Sequence, residues 1–194
     1  GFPVFPIEWK NPETGDISDG YKESGYVPGA FINMLAFLGW NPGTTQEIFS
    51  MKELIEAFSL ERVGKAGAKF DFDKTKWFNQ QYLRAKSKEE LAQELQLILK
   101  ENGVVAQDNF VATVCEQLKE RATFVKDMWE EGKYYFSAPT TYDEKTVQAK
   151  WQEDTSKHLA ELKSRLEEVS DFKSENIEKA FKLYLEENEL GMSK

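Results

Sequence analysis

The second half of the sequence carries apolar residues at helical spacing, bounded by start and stop signals. One such stripe consists of Leu91, Leu95, Ile98 and Leu99. Ser87 with Glu90 three residues later forms a capping box before this stripe, and Asn102-Gly103 ends it. Further helices are predicted from residue 108, over residues 124–131, from residue 143, and in a last segment that stops at residue 191. The chain beyond residue 86 is therefore predicted to be all helix.

The first 86 residues combine extended segments with helices. Prolines and glycines punctuate residues 1–20, which favours extended segments and turns. One helix is predicted over residues 27–38, and another starts at the capping box of Ser50 and Glu53. Asp71 or Asp73 is placed to cap a third helix, after a loop over residues 64–67. The predicted fold class is mainly α with short extended segments, and the predicted domain boundaries lie near residues 86 and 140.

The charge of the chain is unevenly distributed. The whole sequence has a formal net charge of −9, yet seven basic and two acidic residues between Arg62 and Lys86 give that stretch +5. The basic residues are Arg62, Lys65, Lys69, Lys74, Lys76, Arg84 and Lys86. Aromatic residues lie between them, so a basic surface anchored to a core can meet phosphates while the acidic remainder repels nonspecific polyanions. Lys74, Lys76 and Arg84 are candidate phosphate contacts, and the alternative that they make no such contact has equal weight. Lys65 is a further candidate, in a flexible basic loop that could lie near an RNA backbone.

Several kinds of site are not supported by the sequence. The single cysteine, Cys115, lies in an apolar stretch and is predicted to be a core residue. The single histidine, His158, is interpreted as a solvated helix residue, and the two together cannot form a usual zinc site. There is no P-loop, no dinucleotide-binding motif and no nucleophile elbow. We therefore predict no catalytic residue and no metal site in this sequence.

Five blocks carry a resemblance to a known family: GYVPGAFINMLAFLGW at 25–40, EIFSMKELI at 47–55, FSLERV at 58–63, FDFDK at 70–74 and WFNQQYLR at 77–84. Together these blocks resemble the glutamyl-tRNA synthetases, class I enzymes, over residues 21–86. From 87 to 194 the likeness is looser, but the order and spacing of the helices agree.

The resemblance implies a domain order. Residues 1–86 would be a stem-contact domain, residues 87–140 a first helical anticodon-binding subdomain, and residues 141–194 a second, C-terminally truncated one. The ATP-binding signature motifs of the family are absent, so this stretch should be inactive alone. The chain begins at Gly1 without an initiator Met. We therefore expect a piece of a larger polypeptide.

The same resemblance implies partners and cofactors. The parent would be an ATP-dependent glutamate–tRNA ligase that uses ATP and Mg, with no cofactor in this stretch. The expected partners are tRNA-Glu and the catalytic domain of the same polypeptide, and not DNA or a membrane. No apolar run of the sequence approaches the length that spans a bilayer, and no signal-peptide pattern opens it, so the expected location is the cytoplasm.

Arg121 is a candidate anticodon contact by the same resemblance. It stands where tRNA-Glu-specific members carry an arginine that contacts the third anticodon base, and a guanidinium suits bidentate contact with a base edge. The alternative to an anticodon contact is that Arg121 forms an ion pair within its own helix. For the whole chain, the alternative is a helical protein–protein interaction module that does not bind RNA. A glutaminyl-tRNA synthetase is disfavoured, because bacterial enzymes of that kind read the anticodon with β-barrels.

Overall fold

A computed structural model describes residues 4–65 and 67–191. It is mainly α, as predicted. The chain divides into two compact units, one up to Ala138 and one from Pro139 onward. In the first unit the elements before Ser87 are strands β1 (Trp9–Lys10) and β2 (Ile17–Ser18), helices α1 (Pro28–Phe37) and α2 (Met51–Ala57), a single 3₁₀ turn (Leu60–Arg62), and helix α3 (Phe72–Ala85). The strands pair antiparallel, with Trp9 opposite Ser18.

The remaining elements are all helices. The first unit continues with α4 (Lys88–Glu101), α5 (Asp108–Leu118) and α6 (Val125–Phe136). The second unit contains α7 (Glu144–Lys150), α8 (Thr155–Glu167) and α9 (Ser174–Glu187). None of the helices in the described residues is long and apolar enough to span a bilayer.

The predicted helix starts are confirmed at atomic detail. Ser50 and Ser87 each accept a hydrogen bond from the backbone N–H of the glutamate three residues on, and each glutamate accepts one from the backbone N–H of its serine. Asp71, rather than Asp73, caps α3 by accepting from the N–H of Lys74 at 3.0 Å. These bonds satisfy amides that have no partner within the helix, which fixes where each helix begins.

The predicted end of α6 is wrong: the helix continues past residue 131 to Phe136. Gly132 lies inside it, buried against α5, and a Cβ at this position would be only 2.7 Å from Cδ1 of Leu118. The glycine is therefore required for the close approach of α5 and α6, and it does not stop the helix.

The main core lies among α4, α5 and α6. Its fully buried members include Leu91, Leu95, Leu99, Val111, Val114, Cys115, Leu118 and Met128. The leucines of α4 are the stripe that the sequence predicted, and Cys115 is the core residue that the sequence predicted. Burial raises the pKa of the Cys115 thiol to about 12.

Cys115 is expected to resist alkylation in the folded protein. The thiolate is the reactive form, and a raised pKa leaves little thiolate at about pH 8. The same shift stabilises the fold below the ordinary thiol pKa of 9.0, and this contribution is lost as the pH rises from there towards about 12. Iodoacetamide labelling with and without denaturant, followed by mass spectrometry, measures the reactivity of the Cys115 thiol in the folded and unfolded protein. Equal labelling rates in both conditions would contradict it.

A second core forms where α1 packs on α3. Ala30, Met34 and Phe78 are buried there, with Phe70, Trp77 and Tyr82 packed against them. The prediction that most aromatic residues of the basic stretch serve the core is therefore confirmed, although Phe72 stays half exposed. Two amide side chains, Asn33 and Asn79, are fully buried in the same region.

In the second unit, α8 packs on α9 around the buried ring of Tyr184. Nδ1 of His158 lies 2.7 Å from the Tyr184 hydroxyl oxygen, and that hydroxyl donates to Glu161 at 3.1 Å. The interpretation of His158 as a solvated residue is therefore wrong. Its position on α8 faces α9, where a polar tyrosine needs a hydrogen-bond partner.

Candidate nucleic-acid interface

Helix α3 carries three of the five predicted contact residues, Lys74, Lys76 and Arg84. Its buried face consists of Thr75, Phe78, Asn79 and Leu83. Lys74 and Lys76 are two positions apart, which places them about 160° apart around a helix. They therefore flank the buried face from opposite sides, and Arg84 lies between them on the other side of the helix, about 80° from each.

Lys74 already has a partner within the chain. Its Nζ lies 2.7 Å from a carboxylate oxygen of Glu47 and 5.8 Å from the ring centroids of Phe37 and Phe78. An incoming phosphate would have to compete with Glu47 for this ammonium group. Lys74 is thus a weaker candidate than its charge alone indicates.

Arg84 is bound to the turn between α5 and α6. Its guanidinium donates to the backbone oxygen of Glu120, and its Nε lies 3.2 Å from the Glu120 carboxylate. That Nε is buried and makes no hydrogen bond of good geometry, so the ion pair is purely a charge contact. Arg84 is therefore occupied in holding two elements together.

Lys65, Lys76 and Arg121 differ from these two residues. All three are exposed, and within the part of the chain that the structure describes none has an acidic oxygen within 4.0 Å. Residue 66, next to Lys65 in the predicted basic loop, lies outside the described residues. The ion pair weighed for Arg121 is not formed among the described residues. Of the five predicted contact residues, these three have a charge that no acidic partner among the described residues occupies.

Arg121 lies beside an aromatic pair that the sequence analysis did not single out. The rings of Tyr134 and Tyr135 are 4.4 Å apart, and Tyr134 is 56% exposed. The Tyr135 hydroxyl donates to Gln117 at 2.6 Å. A hydrogen bond with Tyr134 raises the pKa of Tyr135, and the nearby Arg121 charge opposes that shift. The Tyr-Tyr dipeptide was a visible signal, because an exposed ring beside an arginine suits an unpaired base.

Two family models match the chain. The model described as "Anticodon binding domain" matches residues 89–194, which is more than half of the sequence. The model described as "tRNA synthetases class I (E and Q), catalytic domain" matches residues 13–77. The first match covers Arg121 and the tyrosine pair, and the second contains Lys65, Lys74 and Lys76.

Curated relatives carry the same assignment. The glutamate–tRNA ligase of Porphyromonas gingivalis is 52% identical over 188 residues, which are 97% of this chain and 37% of that protein. This chain belongs to the anticodon-binding domain family of the glutamyl-tRNA synthetases. The glutamate–tRNA ligase of Phocaeicola vulgatus is 51% identical over 187 residues, 96% of this chain and 37% of the relative.

Solved structures agree with the family assignment. The glutamate tRNA ligase of Elizabethkingia meningosepticum, in complex with its amino acid, superposes with a TM-score of 0.93 at 45% identity, over 99% of this chain and 38% of that one. The resemblance found over residues 21–86 is thereby confirmed. The chain spans less than two fifths of the length of the relatives that it matches.

Proposed function

We propose that this chain is the tRNA-binding part of an ATP-dependent glutamate–tRNA ligase, and that it positions tRNA-Glu for a catalytic domain of the same polypeptide. In this proposal residues 1–86 contact the inner corner of the tRNA, and residues 87–140 and 141–194 meet the anticodon loop. The observation that carries it is the match of the anticodon-binding family to residues 89–194, where Arg121 stands exposed and unpaired.

The charges of the chain are suited to this role. Lys65 and Lys76 lie in the predicted stem-contact part and are free to meet phosphates, which set the register of a bound nucleic acid. Arg121 and Tyr134 lie in the anticodon-binding match, where a guanidinium and a ring can hold a base that is out of its stack. Holding the tRNA at two places orients its acceptor end for a reaction that takes place elsewhere. The ATP and Mg of that reaction would be bound by the catalytic domain.

Binding of tRNA-Glu by this chain is expected to be weak and to fall steeply with salt. Two phosphate contacts, from Lys65 and Lys76, predict a loss of roughly 7- to 12-fold in affinity between about 50 and about 200 mM salt, because each contact releases counterions. Fluorescence anisotropy of a labelled tRNA-Glu transcript at the two salt concentrations measures this. Duplex DNA of similar charge serves as the control and should bind more weakly.

The titration also separates the two classes of function weighed for this chain. A protein–protein interaction module would show no saturable binding to the transcript at either salt concentration. Affinity that is equal at both concentrations would likewise contradict the proposal, since phosphate contacts cannot be insensitive to salt.

A further inference from the structure

The turn that carries Arg121 is closed by its own hydrogen bonds. It comprises residues 119–124, between α5 and α6. The N–H of Arg121 donates to the backbone oxygen of Leu118 at 3.0 Å. The N–H groups of Thr123 and Phe124 both donate to the Asp127 carboxylate, at 3.0 and 2.8 Å. The backbone of the turn is therefore held in one conformation from both of its ends.

One buried amide attaches this turn to the helices before Ser87. Asn79 on α3 is fully buried, and its Nδ2 donates to the backbone oxygen of Thr123 at 2.6 Å. Its Oδ1 accepts from the N–H of Val27 at 2.7 Å, at the residue that precedes α1. A single side chain thus bridges the start of α1 and the α5–α6 turn, and both of its polar atoms are satisfied.

Two further contacts fasten the same turn. Arg84 on α3 binds the backbone and the carboxylate of Glu120, as described above. The ring of Phe124 meets that of Tyr26 edge to face, with centroids 4.9 Å apart. The turn is therefore attached at three of its residues, Glu120, Thr123 and Phe124. All three contact residues that precede Ser87.

We propose that Asn79 is a positioning residue, which fixes the direction in which Arg121 is presented to the tRNA. This inference rests on the proposed function. Arg121 has no ion pair among the described residues to orient it, so its direction depends on the backbone of the turn. A preorganised turn lowers the entropy lost on binding. It also holds the α5–α6 turn, which lies within the anticodon-binding match, against α3 and the residue before α1.

Replacing Asn79 with aspartate tests this inference with little change in shape. One carboxylate oxygen can still accept from Val27, but the other faces the Thr123 carbonyl, and two acceptors repel each other. We expect the affinity for a tRNA-Glu transcript to fall by roughly 2- to 30-fold. Amide hydrogen exchange should become faster over residues 119–124, while the amides of α4 keep their protection. Near about pH 5 the loss should shrink, because burial favours the protonated acid, whose O–H can donate to Thr123.

Asn33→Asp is the matched control. Asn33 on α1 is equally buried, and its Oδ1 accepts from Phe49 at 2.8 Å and from the Tyr82 hydroxyl at 3.0 Å. Its Nδ2 has no hydrogen-bond partner, so aspartate keeps both existing bonds there. This variant buries a charge without touching the turn. It should leave exchange over residues 119–124 and affinity for the transcript close to those of the unmodified chain.

The outcomes separate this inference from the proposed function. If Arg121→Ala weakens binding and Asn79→Asp does not, the positioning role is overturned while the tRNA contact stands. If Arg121→Ala has no effect, the contact itself fails and the positioning role fails with it. Equal effects of Asn79→Asp and Asn33→Asp on affinity and on exchange would also overturn it. Should Asn79→Asp not fold, Arg84→Lys keeps the charge but removes the two-point contact with Glu120, and the same loss is expected.

Discussion

Replacing Leu95 with alanine is expected to lower the free energy of unfolding of the first unit by about 3 kcal/mol. Leu95 is 0% exposed and belongs to the core formed by α4, α5 and α6. The loss has two parts, the transfer free energy of the removed atoms and the cavity that tightly packed neighbours cannot fill. Since a domain is stable by only about 5–15 kcal/mol, this one change removes a large share of the total.

Chemical denaturation followed by circular dichroism measures the effect, and Leu97→Ala is the matched control. Leu97 lies on the same helix two residues on, but it is 65% exposed. The two variants share the same change in helix propensity, so the difference between them isolates burial. The control should change stability by no more than about 0.5 kcal/mol. Equal losses in the two variants would show that the predicted stripe of α4 does not face the core.

The fold was largely predictable because its signals are local. Ser50 and Ser87 each form a capping box with a residue three positions away, and Asp71 caps α3 over the same distance. Signals of this kind can be recognised without knowledge of the tertiary structure. Gly132 shows the limit of prediction from local signals. Whether a glycine ends a helix or lets two helices approach depends on Leu118, which belongs to another element.

The candidate site was less predictable, because its contacts join distant parts of the chain. The sequence shows that Lys74 and Arg84 are charged, but it does not show that each has an acidic partner. Those partners, Glu47 and Glu120, lie 27 and 36 residues away. Asn79 bridges residues 52 positions before it and 44 positions after it, and nothing in its neighbourhood marks it as a bridge. Composition gives the number of charges, whereas tertiary packing decides which of them stay available to a ligand.

Replacing Arg121 with alanine is expected to reduce discrimination between cytosine and uracil at the third anticodon position by roughly 5- to 150-fold. This range corresponds to about 1–3 kcal/mol for one bidentate contact with a base edge. Lys76→Ala is the matched control, because Lys76 is also exposed and unpaired among the described residues but lies on α3, in the predicted stem-contact part. It should weaken binding equally for both transcripts and lower the salt slope by about one.

The two variants separate reading of the anticodon from contact with the tRNA backbone. Binding is measured with a tRNA-Glu transcript and with a second transcript whose third anticodon base is changed from cytosine to uracil. A loss in Arg121→Ala that is equal for the two transcripts would make Arg121 a phosphate contact, because a backbone contact carries no sequence information. Unchanged affinity for both would remove Arg121 from the interface. The exposed Tyr134 ring would then be the remaining candidate for holding an anticodon base on that face of α6.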